Sequence, residues 1–147
     1  MPYANVELLY AEDSPDDALL TIRALKKCGF ENKLLHVKDG AEALDFMYCR
    51  GIYAARDRNI LPKLILLDLK MPKVSGLEVL EKLKLEHDFK SVPIVILTSS
   101  KEDPDIKGCY ALGANSYIVK PVESANFFKA INELGLYWMM LSQPPQQ

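Results

Sequence analysis

Two four-residue runs, Leu64-Ile65-Leu66-Leu67 and Ile94-Val95-Ile96-Leu97, contain no polar side chain. Successive side chains of a strand point to opposite faces, so an unbroken apolar run needs cover on both sides. Such runs belong in the middle of a parallel sheet held between two helical layers. Pro93 stands at the start of the second run, where a proline is tolerated. Val6 to Ala11 and Ser116 to Val119 are further strand candidates, and Lys33 to Lys38 is a less apolar fifth, with Leu34, Leu35 and Val37.

Helical spacing fills the intervals. Ala18, Ile22 and Leu25 recur at i, i+4, i+7, with Gly29 placed to end the helix. Ala41, Leu44, Met47 and Tyr48 stop near Gly51; Leu77, Leu80 and Leu83 follow Pro72; Ile106, Cys109 and Tyr110 stop at Gly113; Phe127, Ile131 and Leu134 form the last. A β-α unit repeated five times predicts an α/β fold. Right-handed crossovers then give a doubly wound five-stranded parallel sheet with helices on both faces. Ligands of such sheets bind beyond the carboxyl ends of the strands. Ile52 to Pro62 falls outside the repeat and reads as a long loop, with Arg56 and Arg58 as solvated residues.

The chain has 147 residues, 49% of them hydrophobic and 26% charged, as in an ordinary globular protein. That length suits one domain, which buries about 70% of its unfolded surface without needing disulfides or a structural metal. The expected division is a domain over residues 1–135 and an apolar extension over 136–147, with no DNA-binding output domain. Lys and Arg total 18 against 20 for Asp and Glu, so the basic footprint of a nucleic-acid binder is missing. Cys28, Cys49 and Cys109 are an odd number without C-x-x-C spacing, which disfavours a disulfide framework or zinc site and suits small buried hydrophobes. No apolar stretch reaches the ~18 residues of a membrane span and no signal peptide is visible, so a cytoplasmic location is expected.

The strand ends carry the chemistry. Glu12-Asp13-Ser14-Pro15-Asp16-Asp17 follows the first strand, Asp68 the third, Thr98 the fourth and Lys120-Pro121 the fifth. Crowded carboxylates repel one another, so they bind a hard cation or hold a proton. Mg2+ suits a site with one or two carboxylates and positions left for phosphate oxygens. A carboxylate beside it can attack a phosphoryl group, and the Lys120 ammonium can stabilise the charge that develops.

With Glu12-Asp13, Asp68, Met71-Pro72, Gly76, Thr98, Tyr117 and Lys120-Pro121 in this order, the chain resembles a two-component response-regulator receiver domain from about Val6 to Leu134. The loop before Asp68 and the Tyr-Trp tail are similar to those of stand-alone regulators that partner cyanobacterial phytochrome kinases. The resemblance implies a flavodoxin-like strand order, 2-1-3-4-5. It also implies that Asp68 takes a phosphoryl group from a sensor histidine kinase, phytochrome-like, or a histidine phosphotransfer protein. Mg2+ would be held by Asp13, Glu12, Asp68 and the backbone carbonyl of Lys70. Lys120, through a cis bond to Pro121, would pair with the phosphoryl group; Thr98 would swing toward it and Tyr117 would follow inward. Lys70 and Ser100 depart from the common pattern and flank the family's path of attacking water.

Each residue also has a plainer reading. Glu12-Asp13 suits a helix start, Asp68 a solvated strand end, Lys120 the surface, and Thr98 and Tyr117 ordinary packing. His36 and His87 read as surface residues remote from the cluster. A haloacid-dehalogenase-type enzyme would need an acid where Lys70 stands, and a pseudo-receiver would lack part of the acidic set. A flavin phosphate would meet an acidic first loop, and no G-x-x-x-x-G-K-[ST] motif supports nucleotide hydrolysis.

Phe127, Ile131, Leu134, Trp138 and Leu141 are spaced 4, 3, 4, 3, and the first three should face the sheet. Tyr137, Trp138 and Leu141 would remain uncovered if the helix continued, which predicts a homodimer contact through the last helix and the extension. The competing expectation is a break at Gly135 with the segment folded back on its own domain.

Overall fold

The computed structural model describes residues 3–30, 32–136 and 138. Strands β1 (Leu8–Ala11), β2 (Leu34–Val37), β3 (Leu64–Asp68), β4 (Ile94–Thr98) and β5 (Ser116–Val119) alternate with five helices. These are α1 (Pro15–Lys27), α2 (Gly40–Tyr48), α3 (Gly76–Leu85), α4 (Asp105–Ala111) and α5 (Ser124–Glu133). All strand pairs are parallel, and the order is β2-β1-β3-β4-β5.

Every residue of β1, β3 and β4 is buried, which is the cover their apolar runs require. On one face Leu9, Ile65, Leu67 and Ile96 pack against Leu44, Val79, Leu80 and Cys109 of α2, α3 and α4. On the other, Leu8, Leu66 and Leu97 pack against Leu25, Phe127 and Ile131 of α1 and α5. Each large aliphatic side chain so buried contributes roughly 1.5–3 kcal/mol.

Helix starts are fixed by local chemistry. The Ser14 hydroxyl accepts from Asp17 N, with Pro15 opening α1. Ser75 and Glu78 form a reciprocal capping box on α3. Gly76 N donates to Leu69 O at 3.0 Å, which brings α3 up against the chain directly behind Asp68. A Cβ at position 76 would collide with the Asp68 carbonyl and lie 3.0 Å from Leu69 Cα, so only glycine permits this approach.

Three expectations are corrected. The segment after α2 is no solvated loop: a 3-10 turn over Gly51–Tyr53 buries Tyr53, and Arg56 is only 7% exposed. The Arg56 guanidinium donates to Phe46 O at 2.5 Å and Ile60 O at 2.6 Å and lies 3.9 Å from the Phe46 ring centroid. Arg58 is partly exposed, as expected, and pairs with Glu86 and Asp88. Cys28 and Cys109 are buried, but Cys49, the residue that ends α2 in the left-handed region, is only half-buried.

The last helix also differs. Phe127 and Ile131 are buried and Leu134 packs partly against them, as their spacing implies. But α5 ends at Glu133, and Gly135 at φ 72° receives the chain as Leu136 N closes back onto Ile131 O. An uninterrupted stripe from Phe127 to Leu141 is therefore broken at its middle. Trp138 is 45% exposed, with Lys63 Nζ 5.6 Å from its ring centroid; Tyr137 and Leu141 lie outside the described residues.

Two glycines should respond oppositely to alanine. Gly76→Ala should lower folding stability by about 1–3 kcal/mol through overpacking. Gly108→Ala, inside α4 with only Leu77 at 3.9 Å from the new methyl, should raise it by about 0.5–1 kcal/mol. Urea denaturation of both variants measures the contrast; a neutral Gly76→Ala would mean that the approach of α3 to Asp68 is not rigid.

Candidate functional site

Parallel register brings four strand ends to one level. Ala11 pairs with Leu67, so Glu12 comes beside Asp68; Asp68 pairs with Leu97, so Thr98 follows; Thr98 pairs with Val119, so Lys120 follows. The result is an open cavity of about 250 Å³ lined by the acidic residues, Thr98, Lys70 and Lys120.

Lys120 occupies its centre. Its Nζ lies 2.8 Å from Asp68 Oδ1, 3.0 Å from Glu12 Oε1 and 2.9 Å from Asp17 Oδ2. The Lys120-Pro121 bond is cis. Burial alone would lower the ammonium's pKa, but its hydrogen bonds to Asp68, Asp17 and Glu12 outweigh that and raise it. Lys120 is accordingly a fixed cation.

Glu12 is 1% exposed and held from several sides. The Tyr10 hydroxyl donates to Oε1 at 3.3 Å, and Ser14 N donates to Oε2 at 3.3 Å. The Tyr10 phenol is pushed up by burial first, and by the Glu12 and Asp68 charges beside it. Asp68 is 6% exposed. Burial drives its carboxyl up, Lys120 pulls it down and Glu12 pushes it up again, leaving it at about 7. Asp13 is exposed at the mouth. Carboxylate oxygens of Glu12, Asp13 and Asp68 lie within 4.8 Å of one another, all hard donors.

Thr98, 1% exposed, donates its hydroxyl to Ser100 O at 3.1 Å. Tyr117 is half-buried, with its ring edge-on to Tyr110 at 6.1 Å. The Lys70 side chain is exposed and reaches Asp103 rather than Ser100, Nζ to Oδ2 at 3.4 Å.

Two participants were not legible as such. Asp17 appeared only as one acid among several, yet it bonds Lys120 across 103 residues of chain; its position four residues after Asp13, on the first turn of α1, was the available signal. His36 is not remote from the cluster. Register with Tyr10 places its Nε2 2.9 Å from Glu12 O and its ring 5.3 Å from that of Tyr10. His87 is exposed, as expected. No helix among the described residues is long and apolar enough to cross a membrane.

Comparison with known proteins converges on one family. Residues 8–132 match the family model described as the response regulator receiver domain. Response regulator Rcp1 of Synechocystis sp. is 35% identical over 132 residues, covering 90% of this chain and 88% of the relative. The solved bacteriophytochrome response regulator RtBRR is 45% identical with a TM-score of 0.84, covering 94% of this chain and 82% of that one. The phosphorylated cyanobacterial phytochrome response regulator RcpA is 32% identical with a TM-score of 0.73, covering 96% of this chain and 99% of that one. Rcp1 has also been solved in an Mn2+-bound form, 35% identical with a TM-score of 0.71, covering 89% of this chain and 92% of that one.

Proposed function

The chain belongs to the response regulator receiver domain family, and on that premise we propose that it accepts a phosphoryl group on Asp68 and signals through a change in its protein-binding surface. The observation that carries this reading is the buried Asp68 carboxylate 2.8 Å from the Lys120 ammonium, with Glu12 and Asp13 beside it. An Asp68 oxygen attacks the phosphorus of a phosphohistidine; the O–P bond forms as the N–P bond breaks, and the imidazole nitrogen leaves with the electron pair. Lys120, already oriented and kept cationic, holds one oxygen of the arriving group. The donor from a cytoplasmic sensor histidine kinase, of the phytochrome kind named in the relatives, or from a histidine phosphotransfer protein, fits this step.

Glu12, Asp13, Asp68 and the Lys70 carbonyl suit Mg2+, because the donors are oxygens and the cavity leaves room beside them. Mg2+, when bound, supplies positive charge for the phosphoryl oxygens and relieves the repulsion among the carboxylates. Thr98 lines the cavity and would leave its bond to Ser100 O to donate to a phosphoryl oxygen. Tyr117, with its ring against Tyr110 and beside a surface cavity, would follow and repack the surface of α4, β5 and α5. A gain of roughly −1.5 to −2 charges suffices to bias such a two-state element. Residues 1–135 are the switching domain in this reading, and the exposed Trp138 supports a homodimer through α5 and the extension, for which Tyr137 and Leu141 are the further expected contacts.

Acetyl phosphate with Mg2+ should add the mass of one phosphoryl group to the wild-type chain and none to Asp68→Asn, read by intact mass spectrometry. An unmodified wild type, or equal modification of both, contradicts the assignment. Light scattering should give twice the monomer mass for the full chain and the monomer mass for a chain truncated after Gly135; equal masses remove the dimer.

A further inference from the structure

Lys70 and Asp103 connect two loops that border the same cavity. Lys70 lies two residues beyond Asp68 on the β3–α3 loop, and Asp103 stands just before α4. Their side chains are 3.4 Å apart and differ sharply in setting: Lys70 is 73% exposed, whereas Asp103 is only 7% exposed. Both line the cavity that contains Asp68.

Asp103 is itself tied into the start of α4. Its Oδ1 accepts from Asp105 N at 2.9 Å, its carbonyl accepts from Ile106 N at 3.2 Å, and its N–H donates to Ser100 O at 3.2 Å. Ser100 O is the same oxygen that receives the Thr98 hydroxyl at 3.1 Å. The β4–α4 loop is thus held in its resting arrangement at two points, by Thr98 within the chain and by Lys70 across the cavity.

We propose that Asp103 is a positioning residue that holds the Lys70 ammonium at the rim of the site and yields it to the phosphoryl group on Asp68, so that phosphorylation releases the β4–α4 loop. The proposal rests on the reading of Asp68 as the phosphoacceptor. A phosphoryl group offers three acceptor oxygens and more negative charge than the single carboxylate of Asp103. The long, exposed stem of Lys70 lets its head group move between them at little cost. Asp103 cannot follow, because its other oxygen caps Asp105 N. Loss of its counter-ion leaves a nearly buried carboxylate poorly compensated, and the start of α4 must rearrange to rehydrate it. Thr98 and Lys70 are drawn toward the same group, so both restraints on the loop are lost together.

A double-mutant cycle tests this, with beryllofluoride titrated at fixed Mg2+ by calorimetry on the full chain. Asp103→Asn keeps an oxygen to cap Asp105 N but loses the charge that competes for Lys70. It should bind beryllofluoride about two- to fivefold more tightly than wild type, the range for one partly exposed ion pair. In a Lys70→Gln background the same substitution should change nothing. An equal gain in both backgrounds, which a general charge effect would produce, overturns the proposal, and so does no gain in either. Amide signals of Asp105 and Ile106 give a second readout that does not require Asp103→Asn to fold. They should shift on beryllofluoride binding in wild type and shift less in Lys70→Gln; equal shifts overturn the proposal. Asp68→Asn separates the two failures. If it binds beryllofluoride as wild type does, or if wild type binds none, the phosphoacceptor reading falls and takes this one with it. If wild type alone binds and the cycle is additive, only the Lys70–Asp103 coupling falls.

Discussion

One ammonium among three carboxylates organises this protein. Lys120 touches Glu12 at the end of β1, Asp17 on the first turn of α1 and Asp68 at the end of β3. Removing that charge would leave two nearly buried carboxylates facing each other, a cost of several kcal/mol for an uncompensated buried ion. The parallel sheet exists, in functional terms, to bring these distant residues to one level. The apolar runs of β3 and β4 fix the register, and the register fixes the site.

The same cluster is incompletely balanced. A single lysine does not offset every nearby acid, and burial with Glu12 alongside drives the Asp68 carboxyl up to about 7. A site in that condition gains from any further positive charge, and the Asp68 side chain already lines the cavity. Around it stand groups that, on the proposed reading, have a second place to go: the Thr98 hydroxyl, now on Ser100 O, and the Lys70 ammonium, now on Asp103. Discrete alternatives of this kind let one local charge change shift a packed surface, since close-packed interiors rearrange between states rather than deform smoothly.

Much of this was legible along the chain. Unbroken apolar runs located the central strands, Ser14-Pro15 and Ser75 marked helix starts, and residues following the strands pointed to the site. What escaped notice depended on neighbours across the sheet. His36 lies under Glu12 because β2 pairs with β1 at Tyr10, a register that its own segment does not encode. Arg56 sits in a chain stretch that reads as polar loop, yet the Phe46 carbonyl of α2, the Ile60 carbonyl and the Phe46 ring give a guanidinium all it needs to be buried. The tail was readable both ways: heptad spacing is regular, but Gly135 in the left-handed region follows the end of α5, which is the break the competing reading named. Spacing describes a helix only while the backbone remains helical.

The central claim is that Asp68 is held in a crowded, buried carboxylate cluster whose charge is not fully compensated. Carbon-13 NMR of the carboxyl groups in metal-free protein, titrated from acid to pH 9, measures this directly. The Asp68 carboxyl should titrate near 7, where burial and Glu12 place it, and its midpoint should fall when Mg2+ is added. A midpoint in the ordinary carboxylate range of about 4, unchanged by Mg2+, would contradict the account.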